Sequence, residues 1–205
     1  MKAAAIILAG GKSSRMGTNK ALLKINGKTN IERIRDTLKI LFDDIILVTN
    51  EPETYDFLGL RKVSDQYPGM GPLAGLHAGL QASDYDVNMM VACDMPFVST
   101  ELAEVLISLL SHHDAVIPVI DGRQQPLFSV FHKKAAEAVA ESIESGQLRM
   151  RQLLDNLDVL YVTEKELKGY SNLDLERVFF NMNHPEEYEE AKTWAETDIP
   201  RIDGQ

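Results

Sequence analysis

The sequence predicts an α/β protein built on a mainly parallel sheet covered on both faces. Apolar runs of strand length recur along the chain, and segments with helical spacing lie between several of them. A turn signal, Asp121-Gly122, sits between two of the runs and adds one antiparallel excursion.

The elements follow in order. Ala3–Leu8 is an apolar run that reads as a buried first strand. Lys2 and the run up to Ala9 would also suit a short secretion signal, but Gly10-Gly11-Lys12 ends the run early. No later stretch is long enough to span a membrane. Ile31, Ile34, Leu38 and Leu41 share one helical face, and Ile45–Val48 is the next strand. A short run at 62–64 precedes Gly71-Pro72, which opens an apolar helical stretch. Met89–Ala92 is a strand. Leu102, Val105, Leu106 and Leu109 form a helical face behind Ser99 or Thr100 as N-cap. Val116–Val119 and Leu127–Phe131 are strands flanking Asp121-Gly122, and Ala135–Ile143 repeats the helical spacing. The last helix starts near Pro185, whose fixed φ suits a first turn, and Glu186 and Glu187 suit its dipole.

The 205 residues fit one large domain or two small ones; no repeat or linker divides them, so residues 1–205 are read as one. At 44% hydrophobic the chain can bury a sizeable core, and with Cys93 alone it can form no internal disulfide, which suits a reducing, cytoplasmic setting. A net charge of −10 argues against a general nucleic-acid binder. The charge is uneven. No Asp or Glu precedes Glu32, whereas Lys2, Lys12, Arg15, Lys20, Lys24 and Lys28 do, so a small anion can still be held locally.

In open α/β sheets ligands bind where strands end at their carboxyl edges, which here means the loops from Ala9, Thr49, Ser64 and Cys93. The first runs Leu8-Ala9-Gly10-Gly11-Lys12-Ser13-Ser14-Arg15-Met16-Gly17-Thr18-Asn19-Lys20. Gly10 and Gly11 let backbone N–H groups approach a phosphate chain, and Lys12, Arg15 and Lys20 can neutralise a triphosphate and the charge developing on it. It is not a Walker A loop, because Ile6 occupies the leading glycine position. Gly69-Met70-Gly71-Pro72-Leu73-Ala74 matches a dinucleotide fingerprint only formally. The bare backbone at Gly71-Pro72 can instead read the edge of a base.

In the loop from Cys93, Asp94 ends a buried strand within Cys93-Asp94-Met95-Pro96, a place suited to a magnesium ligand beside substrate phosphates. Cys93 reads as a small buried residue rather than a nucleophile. His112-His113-Asp114 reads as a polar helix end rather than a metal site, and His77 as structural. Asn181 and Asn183 lie one residue apart, so in an extended segment both amides face one way and could hold a polar ligand. A turn before the last helix accounts for them equally well.

These residues together resemble the molybdenum cofactor guanylyltransferases. That family's pattern is L-A-G-G-x-S-x-R-M-G-x-D-K-x-L-L, then G-P-L-A-G, C-D-M-P and N-x-N-x-P-E. This chain has Leu8 to Gly11, Ser13, Arg15-Met16-Gly17, Lys20, Leu22-Leu23, Gly71 to Gly75, Cys93 to Pro96, and Asn181-Met182-Asn183-His184-Pro185-Glu186. It departs at Asn19, where the family has aspartate, so no metal role is assigned there. It departs again at His184, where the family has a small hydroxyl residue.

The resemblance implies a three-layer α/β/α fold of the nucleotide-diphospho-sugar transferase type, with a dinucleotide-binding-like N-terminal half. It implies Mg²⁺-dependent transfer of GMP from GTP to molybdenum-molybdopterin. Leu8, Ala9, Gly10, Lys20, Asp65 and Asp94 would contact GTP, with Asp94 also on Mg²⁺. Asn181 and Asn183 would lie on the pterin side, so that the part up to about residue 100 binds nucleotide and the later part the acceptor. Other cofactor-biosynthesis proteins and molybdoenzyme chaperones would be partners. Related cytidylyltransferases of the same cofactor have similar stretches, and sugar-1-phosphate nucleotidyltransferases share the opening motif. A nucleotide-binding regulatory protein without turnover is the reading from another class, and Lys20 with Asp94 speaks against it.

Overall fold

The computed structural model describes residues 2–10, 19–170 and 173–197. The first half contains β1 (Ala4–Leu8), the short hairpin β2 (Lys24–Ile25) and β3 (Lys28–Thr29), α1 (Asn30–Leu38), β4 (Asp44–Val48), β5 (Arg61–Val63), α2 (Gly71–Ala82), β6 (Val87–Ala92) and α3 (Thr100–Leu109). The second contains β7 (Ala115–Ile120), β8 (Arg123–Gln124), β9 (Phe128–His132), α4 (Ala135–Glu144), α5 (Met150–Leu154), β10 (Val159–Thr163), α6 (Glu164–Tyr170), α7 (Leu175–Val178) and α8 (Pro185–Thr197). Tight helical turns occupy Lys20–Leu22 and Pro52–Leu58.

The main sheet has the order β10-β7-β9-β6-β1-β4-β5, with β8 attached to β7. β1 pairs parallel with both β4 and β6, as β4 does with β5 and β7 with β10. The exceptions are β9, antiparallel to β6 and to β7, and β8, antiparallel to β7. The mainly parallel sheet and its antiparallel excursion match the expectation. Asp121 (φ 49°) and Gly122 (φ 72°) make the left-handed turn that starts the excursion.

Helices cover both faces, which gives the three layers. On one side α1, α3, α6 and α7 pack Ile31, Ile34, Leu102, Leu106, Leu167 and Val178 against Ala5 and Ile7. On the other, α2, α4 and α5 pack Leu73, Leu76, Val139 and Leu153 against Ile6 and Ile46. Consecutive residues of β1 therefore serve opposite layers, and the strand has to be apolar throughout. Thr29 starts α1 with a capping box, its hydroxyl taking the Glu32 N–H while the Glu32 carboxylate takes the Thr29 N–H at 2.8 Å. Ser99 caps α3, as its position predicts.

The close approach of α2 to β1 depends on glycine. A Cβ added at Gly79 would lie 2.4 Å from Ile6 Cγ2, inside any real contact, and Gly75 faces Leu8 in the same way at 3.0 Å. Gly79→Ala should therefore lower stability by about 1–3 kcal/mol, the usual cost of overpacking a filled core. Urea denaturation measures this, and a midpoint equal to wild type would refute the tight helix–strand contact.

The β2–β3 hairpin turns at Asn26 (φ 51°) and Gly27 (φ 80°) and receives α8. Ile25, Met182, Ala191 and Ala195 form a small core there, Asn26 donates to the Ala195 carbonyl at 3.0 Å, and the Tyr188 hydroxyl donates to the Lys24 carbonyl at 2.7 Å. The C-terminal helix thus folds back onto the β2–β3 hairpin. Among the described residues no helix is long and apolar enough to cross a membrane.

Candidate functional site

The carboxyl edge of the sheet brings the strand ends together by continuing the ladder beyond the strands. The Ala9 N–H donates to the Val48 carbonyl, the Cys93 N–H to the Leu8 carbonyl, and the Thr49 N–H to the Val63 carbonyl. Leu8, Ala9, Asn50, Asp65 and Asp94 therefore sit at the ends of adjacent strands. Gly10 is exposed and, among the described residues, nothing lies within 4 Å of the Cβ it lacks, which leaves a ligand room to approach its backbone.

Asp94 is the chemical centre of this edge. Its Oδ1 is buried and, among the described residues, has no hydrogen-bond partner; its Oδ2 lies 3.9 Å from Lys20 Nζ. Burial raises the Asp94 carboxyl above its ordinary range, with Lys20 opposing the shift and Glu187 adding to it. Three neighbours fix the peptide that carries it. The Asn30 amide donates to the Cys93 carbonyl at 2.7 Å, the Cys93 N–H is held by Leu8, and the Asp94 carbonyl accepts the Met182 N–H at 3.0 Å. Burial pushes the Cys93 thiol up to about 12, which makes it a packing residue, as the sequence suggests.

Lys20 is aimed at this carboxylate by its own turn. Asn19 caps the turn by accepting the Ala21 N–H at 3.1 Å and donates to the hydroxyl of buried Tyr55 at 2.9 Å. The departure at Asn19 is thereby explained: an amide both donates and accepts here, so it caps and anchors at once, whereas an ionised aspartate accepts only. Lys20 Nζ donates to Asn183 Oδ1 at 2.8 Å.

The two late amides separate in role. Asn183 reaches across to Lys20, while Asn181 turns back to donate to the Phe179 carbonyl at 2.9 Å. The segment is without regular structure, and the bond from Met182 to Asp94 ties it to the end of β6. Glu187 accepts the backbone N–H groups of Asn183 and His184, closing the start of α8. At His184, then, it is the backbone that serves the turn.

On the far side of β4, Asn50 and Asp65 bond reciprocally. The Asn50 amide donates to Asp65 Oδ2 at 2.6 Å and accepts the Asp65 N–H at 3.2 Å, while Asp65 Oδ1 is buried and, among the described residues, has no partner. Gly71 (φ 67°) begins α2, and no side chain caps that start, so backbone N–H groups of the first turn are open to a ligand. Gly11, Lys12 and Arg15 lie outside the described residues. No sequence pattern distinguishes Asn30 and Asn50 from ordinary polar residues until the fold places them, and the sequence marks Glu187 only as an acid suited to the helix dipole. His77 is buried on α2, where the ring of Tyr67 meets it edge-on at 5.2 Å, in keeping with a structural role.

Comparison with known proteins agrees with this geometry. Residues 5–160 match the family model described as MobA-like NTP transferase domain. A protein of Pelotomaculum thermopropionicum named "Probable molybdenum cofactor guanylyltransferase" is 36% identical over 96% of this chain and 95% of its own. One of the same name from Natranaerobius thermophilus is 34% identical over 93% and 95%. The crystal structure of molybdopterin-guanine dinucleotide biosynthesis protein A from Archaeoglobus fulgidus superposes with a TM-score of 0.82 at 26% identity, covering 95% of this chain and 99% of that one.

Proposed function

The chain belongs to the MobA-like NTP transferase domain family, and we propose that it transfers GMP from GTP to molybdenum-molybdopterin, releasing pyrophosphate. The observation that carries this reading is the meeting of Lys20, Asp94 and Asn183 at one strand end, beside the segment before α8. The acceptor is a terminal phosphate. One of its oxygens bonds to the α-phosphorus of GTP, the bond from that phosphorus to the bridging oxygen breaks, and pyrophosphate leaves with the electron pair. The attacking oxygen is already anionic, so no strong general base is required. The need is to hold two anions together and to neutralise the leaving group.

Each part has a task in that reading. Backbone groups at Leu8, Ala9, Gly10 and Gly11 cradle the phosphates, Lys20 and Arg15 neutralise them, and Asp65 and the backbone at Gly71 hold the nucleoside. The donor set fits a magnesium ion. Asp94 offers a buried carboxylate oxygen with no partner among the described residues, and one or two carboxylates with substrate phosphates make a common Mg²⁺ site. Mg²⁺ bound there would supply charge neutralisation on the triphosphate. We read residues 1–205 as one cytoplasmic nucleotidyltransferase domain, its later part serving the pterin and delivering product to cofactor-biosynthesis proteins or molybdoenzyme chaperones.

The deciding experiment is pyrophosphate release with GTP, CTP or UTP, each with and without molybdenum-loaded molybdopterin. Release with GTP alone, and only with the acceptor present, is expected. Preference for CTP would indicate the cytidylyltransferase of the same cofactor, turnover with UTP and a sugar 1-phosphate would indicate the sugar-nucleotide reaction, and no turnover with any would remove the enzyme reading.

Asn183→Ala should raise the KM for molybdenum-molybdopterin, because an amide carries both the donor and the acceptor that a pterin needs. Its bond to Lys20 adds a smaller loss on the GTP side. Asn181→Ala removes only the local bond to Phe179 and any direct pterin contact, so GTP affinity should stay level. Titrating each substrate against each variant tests both. Loss of GTP affinity alone in Asn183→Ala would move that residue wholly to the nucleotide site.

A further inference from the structure

The amino edge of the sheet, opposite the strand ends just described, carries a second cluster of ligating side chains. His112 and His113 follow α3, and their rings lie 4.2 Å apart. His113 Nδ1 is 3.1 Å from Asp158 Oδ1, across 45 residues of sequence. One ligand atom from each of His112, His113 and Asp158 lies within 4.8 Å of the others. We propose that these three residues form a site for a borderline divalent transition ion, of the Zn²⁺, Co²⁺ or Ni²⁺ class.

The backbone beneath the cluster is fixed. The Asp114 N–H donates to the Asp158 carbonyl at 2.8 Å, and the Asp158 N–H donates to Asp114 Oδ2 at 2.9 Å. The His113 N–H donates to the Leu110 carbonyl at 2.9 Å. Both ligand-bearing turns are therefore held where β7 and β10 begin. Metal–ligand bonds of about 2.0–2.2 Å place neighbouring donors roughly 3 Å apart, the separation His113 and Asp158 already show.

The surrounding charges leave these donors available. Lys134 is committed to Asp114 Oδ1 at 2.8 Å and to the His112 carbonyl at 3.3 Å, so the local cation neutralises Asp114 and leaves the Asp158 carboxylate to the imidazoles. His132 Nδ1 accepts the Lys134 N–H at 3.1 Å, which sets that ring apart from the three.

The donor set also chooses the ion. Two imidazoles and one carboxylate suit zinc, cobalt or nickel, whereas magnesium prefers oxygen donors and retains its waters. This site and the Asp94 site thus select different metals at opposite edges of one sheet. Among the main-sheet strands β10 pairs with β7 alone, at the sheet margin. An ion held by both turns would pin the start of that edge strand, and with it the chain leading to α6, α7 and α8. Its effect would be on stability, by the mass action of a ligand that binds the folded state.

The test is titration of the metal-free full-length protein with ZnCl₂ by calorimetry, with Co²⁺ absorption and thermal melting as second and third readouts. Asp94→Asn serves as the reference in which the catalytic carboxylate is removed. One equivalent of Zn²⁺ should bind wild type and Asp94→Asn alike, raise both melting midpoints, and resist excess Mg²⁺. His113→Ala and Asp158→Asn should weaken binding by at least the roughly tenfold to hundredfold that losing even an outer-shell partner costs. Asp158 is exposed and His113 partly so, and unaltered circular dichroism will show the fold retained. No binding at micromolar zinc, binding unchanged in His113→Ala, or binding lost in Asp94→Asn would each overturn the assignment. The test does not involve nucleotide transfer, so it stands or falls separately from the proposed reaction.

Discussion

Asp94→Asn is expected to remove most magnesium-dependent turnover and leave the fold intact. Asp94 sits at the end of β6, its peptide held by Asn30, Leu8 and Met182 through backbone atoms that the substitution does not touch. What changes is one side-chain oxygen and one charge. A neutral amide is a poorer ligand for a hard cation, and it no longer complements Lys20 at 3.9 Å. Losing a preorganised electrostatic group of this kind costs on the order of 10²–10³ in kcat. The melting midpoint should stay level or rise. Burial raises the Asp94 carboxyl, so the ionised group disfavours folding in a way that an amide does not. Pyrophosphate release at saturating Mg²⁺, beside a thermal melt, checks both halves. Near-normal turnover would sink the metal-ligand assignment, and a large fall in melting temperature would make Asp94 a structural residue instead.

The fold was legible where burial on both faces made strands uniformly apolar. β1, β4, β6, β7 and β9 all fall on runs visible in the sequence, because each strand of a covered sheet must be apolar on alternate residues and again on the residues between. Edge elements were less visible for the same reason. β10 pairs on one side only and carries exposed Tyr161 and Thr163, so its pattern is diluted. The β2–β3 hairpin is two residues a side, too short for periodicity, although Asn26-Gly27 is itself a strong hairpin signal. A turn read by its chemistry rather than by its flanking runs would have found it.

The site divides along a similar line. Gly10, Lys20, Gly71 and Asp94 stood out because strand ends followed by glycines, cations or a lone acid are unusual locally. Asn30 and Asn50 did not, since each acts through a residue far away in the chain: Asn30 on the Cys93 carbonyl and Asn50 on Asp65. The spacing of Asn181 and Asn183 suggested a shared face. The two side chains take different partners, because Lys20 supplies a donor on one side and the Phe179 carbonyl an acceptor on the other. Periodicity sets the direction in which a side chain leaves the backbone, and the nearest available partner decides where its polar end comes to rest.

Lys20→Ala is the complementary test, and it should damage GTP binding and turnover together. The turn that carries Lys20 is capped by Asn19 and anchored through buried Tyr55, so its backbone should survive loss of the amine. The lost group is a charge-assisted donor to an anionic substrate, worth on the order of 1.5–3 kcal/mol, or roughly tenfold to a hundredfold in affinity. Part of the loss will come from inside the protein. Without the ammonium, Asn183 Oδ1 loses its donor and Asp94 loses the cation that opposes its protonation. A double-mutant cycle separates these contributions. If Asn183 serves GTP through Lys20, the GTP penalty of Asn183→Ala should vanish once Lys20 is already alanine, while its effect on the KM for the pterin persists. Additive GTP penalties would mean that Asn183 meets the nucleotide by itself. Unchanged GTP affinity and turnover in Lys20→Ala would leave Lys20 a lysine paired only within the protein, and the phosphate-neutralising role would then fall to Lys12 and Arg15.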